Sequence, residues 1–292
     1  MKADFLTFVI TMSFVMEHPI RIAILDLYNG VPNQGMRCLR DIIEQYASQN
    51  NLQILVDEFE VRKLLQVPDT SYDGYISSGG PGSPLDSVHE EWEKVYFSWL
   101  KSIEKWNASL EQEKKHILFI CHSFQLACRY FDAGFVCKRK STSFGVFPVH
   151  MLHDGYDEEV FDGLRDPFYA VDSRDYQVIK PNYDKLAEMG GKVLSIEKER
   201  PHVPYDRAVM AIRFNKYFVG TQFHPEADAI GMSHHLQTED KKQSVINEHG
   251  EAKWASMVEH LQDPDKIVWT HNHILPNFLN GIVSQMKREK SN

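Results

Sequence analysis

Residues 20–28 read Ile-Arg-Ile-Ala-Ile-Leu-Asp-Leu-Tyr, a short, β-branched and almost continuous apolar run of the kind that forms a strand covered on both faces. Asn29-Gly30 breaks it, and over 32–49 the apolar residues Met36, Leu39, Ile42, Ile43 and Tyr46 recur at helical spacing. A second strand is predicted over 52–59, a connecting turn or short helix over 61–66, and a third strand over 72–78 that runs into Gly79-Gly80-Pro81-Gly82. Val88, Trp92, Val95, Tyr96, Trp99, Leu100 and Ile103 predict one long amphipathic helix over 86–113. Residues 116–120 are the next buried strand, ending abruptly at Cys121, and 125–131 read as a helix.

Further strands are predicted over 144–152, 168–171, 192–197, 208–214 and 217–221. Strands alternating with helices predict an α/β fold whose central, mostly parallel sheet is flanked by helices on both faces. After about Glu226 the chain turns polar and helical, over 227–237, 239–260 and 274–286. Trp254, Met257, Leu261, Ile274, Phe278, Leu279 and Ile282 are expected to pack this tail on the core. The expected organisation is a leader over 1–18, an α/β catalytic domain over 19–230 and a helical extension over 231–292. The apolar run 5–15 mimics a signal peptide, but Asp4 precedes it and no A-x-A site follows. A disordered leader, or a true start at Met16, is the expectation.

Thirty-two Lys and Arg against 41 Asp and Glu give a net charge of -9, which repels phosphate backbones and anionic lipid. Neither nucleic acid nor membrane is an expected partner. Cys38, Cys121, Cys128 and Cys137 form no C-x-x-C pair and no small-scaffold spacing, so they read as reduced thiols of a cytoplasmic protein. Cys38 and Cys128 fall within helix patterns and read as structural.

Cys121 is different, because a buried strand there turns directly into a helix. That strained elbow lifts a thiol above the sheet edge and favours its thiolate at a helix N-terminus. The competing reading is an inert buried cysteine. A nucleophile needs a base and the base an orienter, and Phe223-His224-Pro225-Glu226 places both in one loop after a strand. The glycines of Ser77-Ser78-Gly79-Gly80-Pro81-Gly82-Ser83 can expose amides to an oxyanion. A phosphate loop is disfavoured, since it would need Gly-Lys-Ser/Thr and Pro81 removes a donor.

Taken together, these three pieces resemble the class I glutamine amidotransferase domain, in which a strand ends in S-G-G-P, the nucleophile lies in G-x-C-x-G-x-Q and the triad closes with F-H-P-E. The matches are Ser78-Gly79-Gly80-Pro81, Cys121 with Gln125, and Phe223-His224-Pro225-Glu226, in the same order over residues 20–230. Residues 144–149 are also similar to the family's G-x-x-x-V strand. The resemblance implies a flavodoxin-like α/β fold, Cys121 as nucleophile, His224 as base and acid, and Glu226 as orienter. It further implies an oxyanion hole from the amides of Gly80 and His122, Gln125 as a substrate contact, glutamine as substrate, and no metal or other cofactor. The early strands and the F-P-V segment are most similar to GMP synthetases, which implies either a separate synthetase subunit that takes the ammonia or an enzyme that simply hydrolyses an amide or γ-glutamyl bond.

Two departures from the family pattern carry expectations. Phe119 and Ser123 replace both glycines of the nucleophile motif, predicting a more crowded elbow. Around Ser173, Arg174, Asp175 and Tyr176, where the family contacts the amino-acid group of glutamine through S-H-x-D or H-S-L, the Ser-Arg pair is more like the homoserine O-acyltransferases. Arg174 either clamps a carboxylate or forms a surface salt bridge. The alternatives are therefore acyl transfer from an acyl-CoA by the same triad, or a non-catalytic binding relative. His234-His235 and His271-Asn272-His273 lack Cys or carboxylate partners at ligand spacing and read as helix surface or packing. Lys138-Arg139-Lys140 reads as a solvated loop, the rival reading being attraction of an acidic substrate group.

Overall fold

The computed structural model describes residues 18–110, 113–200, 206–263 and 266–289. All of the expected leader except His18, and the side chains of His234 and His235, lie outside the described residues. The chain begins with β1 (Ile20–Asp26), α1 (Gln34–Asn50), β2 (Ile54–Glu60), α2 (Val61–Leu64) and β3 (Gly74–Ser77). The first helix is capped by Asn33, whose side chain accepts the Met36 N–H at 2.8 Å. After a 3-10 turn at Asp86–His89 come α3 (Glu91–Ala108), β4 (His116–Ile120) and α4 (His122–Tyr130).

The second half contributes β5 (Gly134–Met151), β6 (Phe168–Pro181), α5 (Tyr183–Glu188), β7 (Lys192–Glu197), β8 (Val209–Arg213) and β9 (Phe218–Thr221). Four helices follow: α6 (Ala229–Gln237), α7 (Glu239–His249), α8 (Glu251–Gln262) and α9 (Ile267–Glu289). One nine-stranded sheet runs β2-β1-β3-β4-β9-β8-β7-β5-β6. From β2 to β9 its pairs are parallel, and from β9 to β6 antiparallel. The expected α/β architecture is borne out, with the sheet mixed.

Period-two alternation divides the core. Ile22, Ile24, Ile76, Leu118 and Ile120 face α1 and α9, whereas Ala23, Leu25, Tyr75, Ile117 and Phe119 face α3 and α4. The tail residues Ile274, Phe278, Leu279 and Ile282 are buried in the first of these clusters. Met257 and Leu261 join α6 over β5 and β6, and Trp254 packs against them.

Three sequence expectations change. The single helix over 86–113 is interrupted at Glu90, whose backbone is extended (φ -70°, ψ 143°), leaving Val88 exposed. Helix 239–260 breaks at Gly250, where φ is 87°. Strands β5 and β6 are much longer than their apolar runs, because 134–143 pairs with 174–181 as an antiparallel ribbon. Lys138-Arg139-Lys140 therefore lies in a strand rather than a loop. A two-stranded ribbon wetted on one face has no continuous apolar signature.

Candidate active site

Ligands in open α/β sheets gather at the carboxyl ends of parallel strands, and here β1, β3, β4 and β9 deliver Tyr28, Gly79-Gly80, Cys121 and the loop carrying His224 to one edge. Cys121 follows β4 directly, at φ 50° and ψ -97°, a conformation that non-glycine residues rarely adopt. It is held from both sides: its N–H donates to Thr221 O at 2.8 Å, and its carbonyl accepts the Gln125 N–H at 3.1 Å. Ser123 locks the elbow from beneath, accepting the Ile120 N–H (2.8 Å) and donating to Ser77 O (2.7 Å). Phe119 points to the opposite face, where it packs edge-on against Phe214 and Phe218. The crowding expected from these two residues therefore does not reach the thiol: one is a tie beneath it and the other is core.

The His224 N–H donates to Val171 O at 2.8 Å, pinning its loop to β6. Its Nδ1 lies 2.8 Å from Glu226 Oε1, and the ring lines the same cavity as Cys121. Burial opposes a charge on the ring, but the negative partners Cys121 and Glu226 outweigh it and hold the His224 pKa well above its ordinary value. Glu226 is buried, and its Oε2 has no partner among the described residues. Its carbonyl accepts a hydrogen bond from His271 Nδ1 at 3.0 Å, so α9 braces this loop.

The Gly79-Gly80 turn is sterically required. A Cβ on Gly80 would lie 2.3 Å from Leu27 O, and one on Gly79 would lie 2.8 Å from His224 Cε1. Ser78 Oγ accepts the Leu27 N–H at 2.9 Å and fixes the start of the turn. The His122 ring is turned into the core against Trp92, its Nε2 without a partner among the described residues, and burial followed by the charges of Arg62 and Arg129 pushes its pKa down to about 3. Only its backbone is available to the cavity.

Gln125 Nε2 donates to Gln222 Oε1 (3.1 Å) and Tyr176 O (3.2 Å), and Gln222 Nε2 points at Cys121 Sγ from 3.8 Å. Sequence reasoning missed Gln222. Its signal was available, a polar residue immediately before Phe223-His224-Pro225-Glu226 at the end of a buried strand. Cys121 Sγ also faces the carbonyl of Ser173 at 3.7 Å. A cavity of about 430 Å³ joins Cys121, Gln125, Ser173, Asp175, His224 and Glu226.

Arg174 lines this cavity, and its salt bridge is buried rather than on the surface as the sequence suggested. Its side chain is 1% exposed; Nε reaches both Asp172 oxygens (2.8 and 2.9 Å), and Nη2 reaches Glu197 Oε2 at 3.5 Å. The pairing with Asp172 and Glu197 is internal because β6 turns Asp172 and Arg174 inward and leaves Asp175 exposed. Asp175 accepts a hydrogen bond from Thr142 Oγ1 at 2.5 Å. Cys38 and Cys128 are buried helix cysteines, and burial followed by Asp228 raises Cys38 to about 12. Among the described residues no three His, Cys, Asp or Glu side chains are grouped to hold a metal, and no helix is long and apolar enough to cross a membrane.

The family model for glutamine amidotransferase class-I matches residues 35–243. No curated protein matches the chain in sequence. Among solved structures, a glutamine amidotransferase from Thermotoga maritima is similar at TM-score 0.65 and 17% identity, covering 91% of this chain and 99% of that one. A putative GMP synthase subunit from Thermoplasma acidophilum aligns at TM-score 0.54 and 17% identity, covering 94% and 100%. The glutaminase domain of CTPS from Trypanosoma brucei, with bound acivicin, aligns at TM-score 0.55 and 13% identity, covering 92% and 94%.

Proposed function

The chain belongs to the class-I glutamine amidotransferase family, and from that premise we propose that it cleaves the side-chain amide of glutamine through a γ-glutamyl thioester on Cys121. The observation that carries this reading is the convergence, in one cavity, of a thiol on a strand-to-helix elbow and an imidazole already paired with a buried carboxylate. The raised His224 pKa favours a protonated imidazole in the cavity that holds the Cys121 sulfur. Cys121 Sγ attacks the amide carbon, and the developing oxyanion takes the N–H groups of Gly80 and His122. As the C–N bond breaks, His224 gives its proton to the departing ammonia; the neutral ring then takes a proton from water, whose oxygen attacks the thioester and releases glutamate and the thiolate. Glu226 holds the ring orientation throughout. Gln125 acts through Gln222 and the Tyr176 carbonyl rather than reaching into the cavity alone.

A separate synthetase subunit is the proposed acceptor of the ammonia, in keeping with the likeness to a putative synthase subunit. Free thiols at all four cysteines suit the proposed cytoplasmic setting. Acyl transfer to a homoserine-like acceptor loses its motivating observation, since the Arg174 guanidinium is committed to Asp172 and Glu197. The test is ammonia release from glutamine by the wild type and Cys121→Ala, with mass-spectrometric mapping of a glutamine-analogue electrophile. Loss of activity by at least about a thousandfold, together with labelling confined to Cys121, is expected. Full activity in Cys121→Ala overturns the mechanism, and an unlabelled Cys121 favours a non-catalytic relative.

A further inference from the structure

Tyr28 stands just beyond β1 and lines the Cys121 cavity. Its backbone N–H donates to Asp26 Oδ1 at 2.7 Å, but its hydroxyl bonds to none of the described residues. Two glycines nevertheless make room for that hydroxyl. A Cβ on Gly35, in the first turn of α1, would lie 2.5 Å from Tyr28 Oη. The Cβ that Gly79 lacks marks a point 3.3 Å from Tyr28 Oη, 2.8 Å from His224 Cε1 and 3.6 Å from Cys121 Cβ. The phenol, the imidazole and the thiol side chain thus converge on one spot beside the Gly79-Gly80 turn. A hydroxyl accommodated at this point, and bonded to none of the described residues, is available to a molecule that occupies the cavity.

Resting on the amide-cleaving reading above, we propose that Tyr28 Oη accepts a hydrogen bond from the leaving nitrogen of the substrate amide and turns that nitrogen's lone pair toward His224. No bond to Tyr28 forms or breaks in this step. The Sγ–C bond forms, the C–N bond breaks, and the proton on the departing ammonia comes from the imidazolium. Because the nitrogen sits between a donor and an acceptor, its proton uptake is directed rather than left to rotation about the amide. Burial, followed by the charges of Glu226 and Cys121, keeps the phenol pKa well above its usual value, so Tyr28 orients the amide without itself titrating.

The experiment compares Tyr28→Phe with wild type on two substrates, glutamine and the γ-methyl ester of glutamate, whose leaving oxygen carries no N–H. The value of kcat/KM reports the acylation step for both. For glutamine it is expected to fall by about tenfold, and for the ester by less than about twofold. The thermal midpoint is expected to hold, because the hydroxyl makes no hydrogen bond to the described residues, and the shape of the pH profile is expected to be retained. Equal falls for both substrates, or no fall for glutamine, overturn the proposal. A wild type that turns over neither compound overturns the amide-cleaving reading itself, and the Tyr28 role with it.

Discussion

On one side of the Cys121 cavity the chain is held by the ends of parallel strands, where Ser78, Gly79, Gly80 and the elbow at Cys121 are fixed almost entirely by backbone geometry and glycine clearance. On the other side stands β6, an edge strand of the antiparallel half, whose position is fixed by side chains: Arg174 between Asp172 and Glu197, with Ser143 Oγ donating to Asp172 at 2.7 Å. The first wall has no slack because parallel strands buried on both faces leave their carboxyl ends nowhere to move. The second is a ribbon that would be free to shift were its ion pairs not buried. A substitution in the first wall should therefore act on chemistry, and one in the second on stability.

The largest effect expected is on the ribbon wall. Arg174→Gln leaves Asp172 and Glu197 as under-compensated buried charges, a loss of about 3–5 kcal/mol, to be measured by denaturant unfolding. A variant that unfolded normally while KM for glutamine rose steeply would mean that Arg174 contacts substrate, and the contrast between the walls would break. On the elbow wall, Gly79→Ala pushes a methyl carbon to 2.8 Å from His224 Cε1. Displacing the imidazole by a fraction of an ångström is expected to lower kcat by up to about a hundredfold, with the thermal midpoint falling by a few degrees only. Wild-type turnover in this variant would show that the turn has more room than its contacts allow.

The smallest effect sharpens the comparison within the elbow wall, where two histidines are shifted in opposite senses. His122 is depressed to about 3 by burial, so the unfolded chain binds its proton first and stability falls as pH drops below about 6.5. His224 is raised by Cys121 and Glu226 against the opposing burial, so its contribution is complete below about 6.5 and disappears as pH rises through its folded value. His116, lowered to about 4 chiefly by burial, adds to the acid-side loss. Thermal midpoints measured across pH 5–9 should flatten on the acid side in His122→Gln and on the alkaline side in His224→Gln. If both variants flatten the same limb, the opposed charge states assigned to the two rings are wrong.

The elbow wall was readable from the chain alone, because its signals are local. An apolar run stopping at Cys121, glycines closing a strand and a proline stiffening His224-Pro225-Glu226 each state their own backbone geometry within a few residues. The ribbon wall was not readable. Residues 172–175 are polar without a break, so no apolar alternation marks a face, and the question of which charge faces inward depends on Glu197, which arrives on another strand. Gln222 stands between the two cases, since its place before Phe223-His224-Pro225-Glu226 is local but its contacts with Gln125 and Cys121 are set by the fold.

The sequence by itself therefore determined the α/β class, the order of elements around the cavity and the residue types able to do thiol chemistry, since strand and helix periods and turn chemistry are short-range properties. Only the tertiary structure decided that Arg174 is buried in ion pairs, that α9 braces Glu226 through His271, and that Tyr28 meets His224 beside Gly79. Those facts depend on strand register and on the packing of segments distant in the chain, where a two-residue shift would exchange one partner for another while leaving the local pattern unchanged.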